Sequence, residues 1–304
     1  MNKINSKEFM AEINIRKTFM EKGNILKEFV SKINLKKHIK IIYLSVFVIV
    51  GIAALVLMSS FLKQGKTPKN NFPNGLLALN TNKSIYASNE RVEIGLGSLD
   101  PTGSILCHSN LKLEITGPDK IKIDLTTENG KIVNTCSEDS NATLDPDYRT
   151  NFIPEKEGIY DLKLKNLDTK VSVESQIEVK SKQKFSIART GVTRANPFKS
   201  SRYPMILTVK SQEGFKGQVI DQIPASFDIV WQGISKVEVV KEYRTITWNV
   251  DLKAGEAKEL IYEYQAPKVS PMFFNLGKAS LVENGKKVFE DSHLWKIIIG
   301  SNSN

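Results

Sequence analysis

The chain has 304 residues, 40% of them hydrophobic and 25% charged, which is apolar mass enough for one or two cores and excludes wholesale disorder. Its formal charge of +10 is unevenly placed, with ten Lys and Arg against four Glu in residues 1–40 and 33 basic against 29 acidic residues in 63–304. So balanced a bulk excludes the strongly basic body of a nucleic-acid binder, and no nucleic-acid partner is expected.

Residues 1–40 form a basic segment that contains an internal repeat. Residues 7–17 read KEFMAEINIRK and residues 27–37 read KEFVSKINLKK, identical at six of eleven positions with a 20-residue offset. Phe9 with Ile13, and Phe29 with Ile33, are four apart and share one face of a helix in each copy. Gly23 and Asn24 between the copies let both stripes face one surface. Two readings stay open: an amphipathic pair lying on the inner leaflet, or two weak docking motifs for a cytoplasmic partner.

Residues 41–62, IIYLSVFVIVGIAALVLMSSFL, carry no charge. At ~1.5 Å per residue they span about 33 Å, the thickness of a bilayer core, and in lipid only a helix satisfies every backbone amide of such a run. The forty residues before it and the absence of a small-x-small site after it point to a retained anchor and not to a cleaved leader. Six Lys precede the span closely and three follow it, so the N-terminus is expected in the cytoplasm and residues 63–304 outside a plasma membrane crossed once.

Residues 63–75, KQGKTPKNNFPNG, are a linker with almost nothing to bury. Beyond them the grammar is of short strands: RVEIGL (91–96), LKLEI (111–115), KIKIDL (120–125) and YDLKL (160–164), then YPMILTVKS, GQVIDQIP, RTITWNVD and KELIYEYQAP, divided by Gly- and Pro-rich turns. No amphipathic helix of convincing length follows residue 63. The expected fold is mainly β, two tandem sandwiches at 76–180 and 181–304 outside one N-terminal transmembrane helix.

Residues 84–95, SIYASNERVEIG, are similar to the opening strands of bacterial immunoglobulin-like and macroglobulin-like domains, with Ser88 and Asn89 where Pro and Gly are common. PEKEGIYDL (154–162) resembles the segment in which such sandwiches anchor an edge through a buried Tyr, here Tyr160. In the second half, 217–227 and 246–266 resemble the surface-protein repeat called domain of unknown function eleven. Asp221 and Pro224 match its Asp-x-x-Pro turn, and Trp248, Gly255, Glu256 and Tyr262 its later strands. The resemblance implies two immunoglobulin-like sandwiches in a prokaryotic envelope protein, and no chemistry, since the matched positions are turn and core positions.

Cys107 and Cys136 are an even pair in the part expected outside, and a disulfide is expected. A thiol nucleophile beside His108 and a zinc site are both poor fits, because strand neighbours point to opposite faces and no fourth ligand stands at a familiar spacing. Residues 137–147, SEDSNATLDPD, gather four acids whose order does not follow a calcium-loop pattern, so they read as a solvated loop, with calcium binding left open. The three His form no triad, and there is no phosphate loop or nucleophile elbow, so neither catalysis nor a cofactor is expected. The function expected is adhesion, or protein or glycan binding, by a membrane-anchored surface protein. The alternative is a transmembrane assembly or signalling scaffold whose duplicated cytoplasmic motif recruits a partner.

Overall fold

The computed structural model describes residues 72–136, 145–198, 201–233 and 235–300. The 41–62 span and the repeat residues Phe9, Ile13, Phe29 and Ile33 lie outside them. Among the described residues no helix is long and apolar enough to cross a membrane. The protein is mainly β, and its strands lie in one compact unit, Asn70–Asn304.

Nine strands build the first half: β1 (Leu76–Thr81), β2 (Ile85–Tyr86), β3 (Val92–Leu99), β4 (Leu111–Thr116), β5 (Lys122–Thr126), β6 (Val133–Asn134), β7 (Tyr148–Phe152), β8 (Gly158–Asn166) and β9 (Ser172–Val179). They form two sheets, ordered β1-β3-β7-β6 and β2-β9-β8-β4-β5, whose inner faces share one core. Strand β4 shows the cause: Leu111, Leu113 and Ile115 are buried while Lys112 and Glu114 between them lie on the outer face, the period-two pattern of a sheet with one wet side. Tyr160 closes an edge of this core. Its ring packs 5.8 Å from that of Phe152, and its hydroxyl donates to the Lys156 carbonyl at 2.9 Å and accepts from the Lys156 amide at 3.3 Å.

Twelve strands build the second half: β10 (Phe185–Gly191), β11 (Arg194–Ala195), β12 (Tyr203–Ser211), β13 (Phe215–Pro224), β14 (Asp228–Trp231), β15 (Lys236–Val240), β16 (Tyr243–Leu252), β17 (Ala257–Gln265), β18 (Met272–Leu276), β19 (Ser280–Glu283), β20 (Lys286–Glu290) and β21 (Trp295–Ile299). Three sheets, β10-β12-β17-β14, β15-β16-β13-β19-β20 and β11-β21-β18, surround a second core. Trp248, Tyr262, Tyr264 and Phe227 fill its middle, with Phe227 edge-on to Tyr264 at 5.6 Å and to Phe274 at 5.0 Å.

Two sequence readings change here. Lys120 and Ile121, expected in a strand, belong instead to a turn: Lys120 has φ 60°, and the Gly117 amide donates to the Ile121 carbonyl at 2.8 Å. Asp221, matched to a turn, sits inside β13 and is fully buried, opposite Ile246 of β16. The turn begins only after Pro224. The positions matched farther on behave as turn and core residues: Gly255 has φ 80° in the loop where the Glu256 carboxylate accepts from the Lys253 amide at 2.8 Å.

Candidate functional site

The two halves are not strung loosely in series. Strand β1 buries all six residues, with Leu77 and Leu79 in the first core and Leu76 and Ala78 turned the other way, against Leu99 and Ile298. Strand β21 does the same from its side, sending Trp295, Ile297 and Ile299 into the second core and Ile298 into this shared apolar layer. Gly97 of β3 allows the approach. A Cβ there would lie 3.0 Å from Ile298 Cδ1.

Polar groups complete the joint. The Asn80 amide mimics a backbone, donating from Nδ2 to the Lys296 carbonyl at 2.8 Å and accepting at Oδ1 from the Lys296 amide at 2.7 Å. The Arg189 amide donates to the Asn82 carbonyl at 2.7 Å. Arg194 of β11 donates from Nε to Asp147 at 3.1 Å, both side chains almost wholly buried, and burial pushes the Asp147 carboxyl above its usual range against the pull of Arg194. Burial also lowers the Lys296 ammonium, whose Nζ reaches the Leu79 carbonyl at 3.4 Å. Asp147, expected in a solvated acidic loop, is instead buried, and the end of that loop carries the joint's ion pair. Asp145 pairs with Arg149 on the surface, and residues 137–144 lie outside the described residues.

Behind the joint lies a buried ionic cluster. Arg189 donates from Nη1 to Asp221 Oδ2 at 3.1 Å and from Nη2 to Oδ1 at 2.5 Å and to the Gly277 carbonyl at 2.6 Å, while the Tyr262 hydroxyl donates to Asp221 Oδ2 at 3.0 Å. Asp291 is buried nearby, its carboxyl raised by burial and bonded by Ser84 of the first half. His293, edge-on to Trp295 at 6.2 Å, has no protein partner for either ring nitrogen, and burial pushes its pKa down to about 3. The Arg189 and Asp221 side chains are fully buried and bonded to each other.

Cys107 and Cys136 are bonded to each other, with Cα atoms 5.4 Å apart. The bond ties the loop after β3 to the segment after β6, and closing a 29-residue separation is worth about 3–4 kcal/mol in the chain-entropy model. His108 is exposed on a turn beside it. Among the described residues no group of three His, Cys, Asp or Glu side chains is placed to hold a metal ion.

What the molecule offers outward is an edge. Strand β15 ends the five-stranded sheet, paired with β16 on one side only. On this hairpin Val239, Val240 and Tyr243 are 61%, 50% and 41% exposed. Two other edges carry paired charges: β20 has Lys286, Lys287 and Glu290, with Lys287 and Lys278 both paired to Glu290, and β5 sets Asp124 against Lys112. A groove of about 740 Å³ where the halves meet is lined by Phe185 and by Lys83, Lys182, Lys184 and Lys210, with Glu90 and Glu213 pairing Lys83 and Lys184. Sequence reasoning named neither the joint nor this edge.

No protein-family model matches the chain, so the repeat-family resemblance of 217–266 has no support there, and no curated protein matches it. Solved structures with similarity include Salmonella alpha-2-macroglobulin reacted with methylamine, at 14% identity over 75% of this chain and 15% of that one, TM-score 0.28. A DUF4785 family protein from Legionella pneumophila matches at 13% identity over 74% of this chain and 57% of that one, TM-score 0.27. Invasin, a bacterial integrin-binding protein, matches at 8% identity over 75% of this chain and 40% of that one, TM-score 0.26. The chain thus spans about 15% of the macroglobulin's length.

Proposed function

We propose that the chain is a single-pass, membrane-anchored envelope protein whose two immunoglobulin-like sandwiches stand outside the cytoplasmic membrane as one stiff arm for protein or glycan binding, without catalysis. The observation that carries this reading is the exposed apolar edge at β15, fixed to a body whose halves meet through a buried apolar layer and buried ion pairs. An edge strand binds through its free backbone groups and its alternate side chains, and it binds more tightly when its mounting does not swing. The charged residues of the interior are consumed by the fold, which leaves recognition to the surface.

Orientation is the testable part. The native cysteines are bonded to each other, so a cysteine introduced at Lys216, 82% exposed and paired only with Asp251, supplies the one free thiol. K216C in the full chain is expected to react with a membrane-impermeant maleimide on intact cells. Reaction only after lysis would put the arm inside and remove the proposal.

A further inference from the structure

We propose that β15 is the interface for a second copy of this chain, the two strands pairing antiparallel about a two-fold axis at Val237. The inference rests on the reading of this edge as the recognition surface. The β15–β16 hairpin closes with Val240 opposite Tyr243 across a two-residue turn in which Lys241 has φ 56°. Residues flanking such a turn form a hydrogen-bonded pair, and alternation then turns the N–H and C=O of Val237 and Val239 away from β16, toward solvent.

The side chains select the occupant. Lys236 and Glu238 lie on one face, 70% and 54% exposed, and their ion pair of 2.8 Å is within the strand itself. In an antiparallel pair centred on Val237, each Lys236 stands opposite Glu238 of the second copy, so the axis generates two cross-strand ion pairs. Moving the centre to Glu238 sets that carboxylate against its own copy, and like charges directly opposite are destabilising. The strand is therefore self-complementary when centred on Val237. A two-fold contact of this kind closes on itself and does not propagate. It joins two five-stranded sheets into one, and it places the exposed Val239 at the seam.

Charge exchange tests the register. The full chain in detergent is expected to be a dimer by light scattering, whereas K236E and E238K each place like charges opposite one another twice and weaken self-association about tenfold or more. Co-expressed under different tags, K236E and E238K restore both ion pairs and are expected to co-purify as a heterodimer, and the double exchange K236E/E238K restores the homodimer. Both substitutions fall on exposed side chains, and circular dichroism checks that the strands persist. A monomeric wild-type chain, the result if the edge takes a foreign strand instead, overturns the proposal, as does a dimer indifferent to these exchanges or a mixture that fails to pair. A monomer that still shows K216C labelled on intact cells would remove the self-pairing and leave the outward arm standing.

Discussion

Asp221→Ala is expected to cost the protein about 3–5 kcal/mol of unfolding free energy, the loss typical when one partner of a buried ion pair is removed. The substitution strands Arg189, which is wholly buried and gives Asp221 two of its hydrogen bonds, and it also removes the acceptor of the Tyr262 hydroxyl. Removing both charges is a different experiment. R189M/D221L replaces the pair by apolar volume, and buried pairs so replaced often come out neutral or more stable, so the double variant is expected to unfold later than D221A. Urea titration followed by fluorescence reads both, since Trp248 and Trp295 lie in the same core. A double variant as damaged as the single one would show that Arg189 and Asp221 are not coupled as the geometry requires.

The second large effect is on pH. His293 is held near pKa 3 in the fold against about 6.5 for an unperturbed imidazole, so between these values the unfolded chain binds the extra proton. The sign follows: the contribution is fully present above about pH 6.5 and is lost as pH falls toward 3, by about 3 kcal/mol between pH 7 and pH 4. Burial raises Asp291 and Asp147, and these act in the opposite sense, gaining protons in the fold as pH falls. Comparing variants isolates the histidine. H293F keeps an aromatic ring against Trp295 and cannot titrate, so from pH 7 to pH 4 it is expected to gain about 3 kcal/mol relative to the unmodified chain. Parallel stability curves for the two would show that His293 does not titrate with the fold.

The strands with one wet face were legible because period-two alternation is the direct consequence of burying a single side. Strands β4, β8, β12 and β16 fall on or around the runs LKLEI, YDLKL, YPMILTVKS and RTITWNVD. The joint was not legible for the same physical reason in reverse. LLALNT and WKIII face two cores at once, so β1 has no polar side to alternate with, and in β21 Lys296 is drawn inside by its carbonyl contact. One signal did exist. Gly95 and Gly97 interrupt a strand pattern, and glycine within a strand marks close approach of another backbone or side chain, here Ile298 at Gly97. Asp147 and Asp221 misled because an acid beside Pro, or three residues before one, favours a turn until a buried arginine is known to face it. The β15 edge leaves no trace in sequence at all, since KVEVV alternates like any half-buried strand and only the sheet order shows that nothing covers it.

The stiffness of the arm is the claim on which presentation of that edge depends, and a spin-label distance distribution measures it most directly. Labels on D161C, exposed on β8, and K216C, exposed on β13, sit in different halves of the full chain and leave the Cys107–Cys136 bond in place. Double electron–electron resonance is expected to give one narrow distance, and D147A, which leaves Arg194 buried without its carboxylate at the joint, is expected to broaden it. A broad distribution in the unmodified chain would mean that the halves swing about the joint, and the account of a stiff arm would be contradicted.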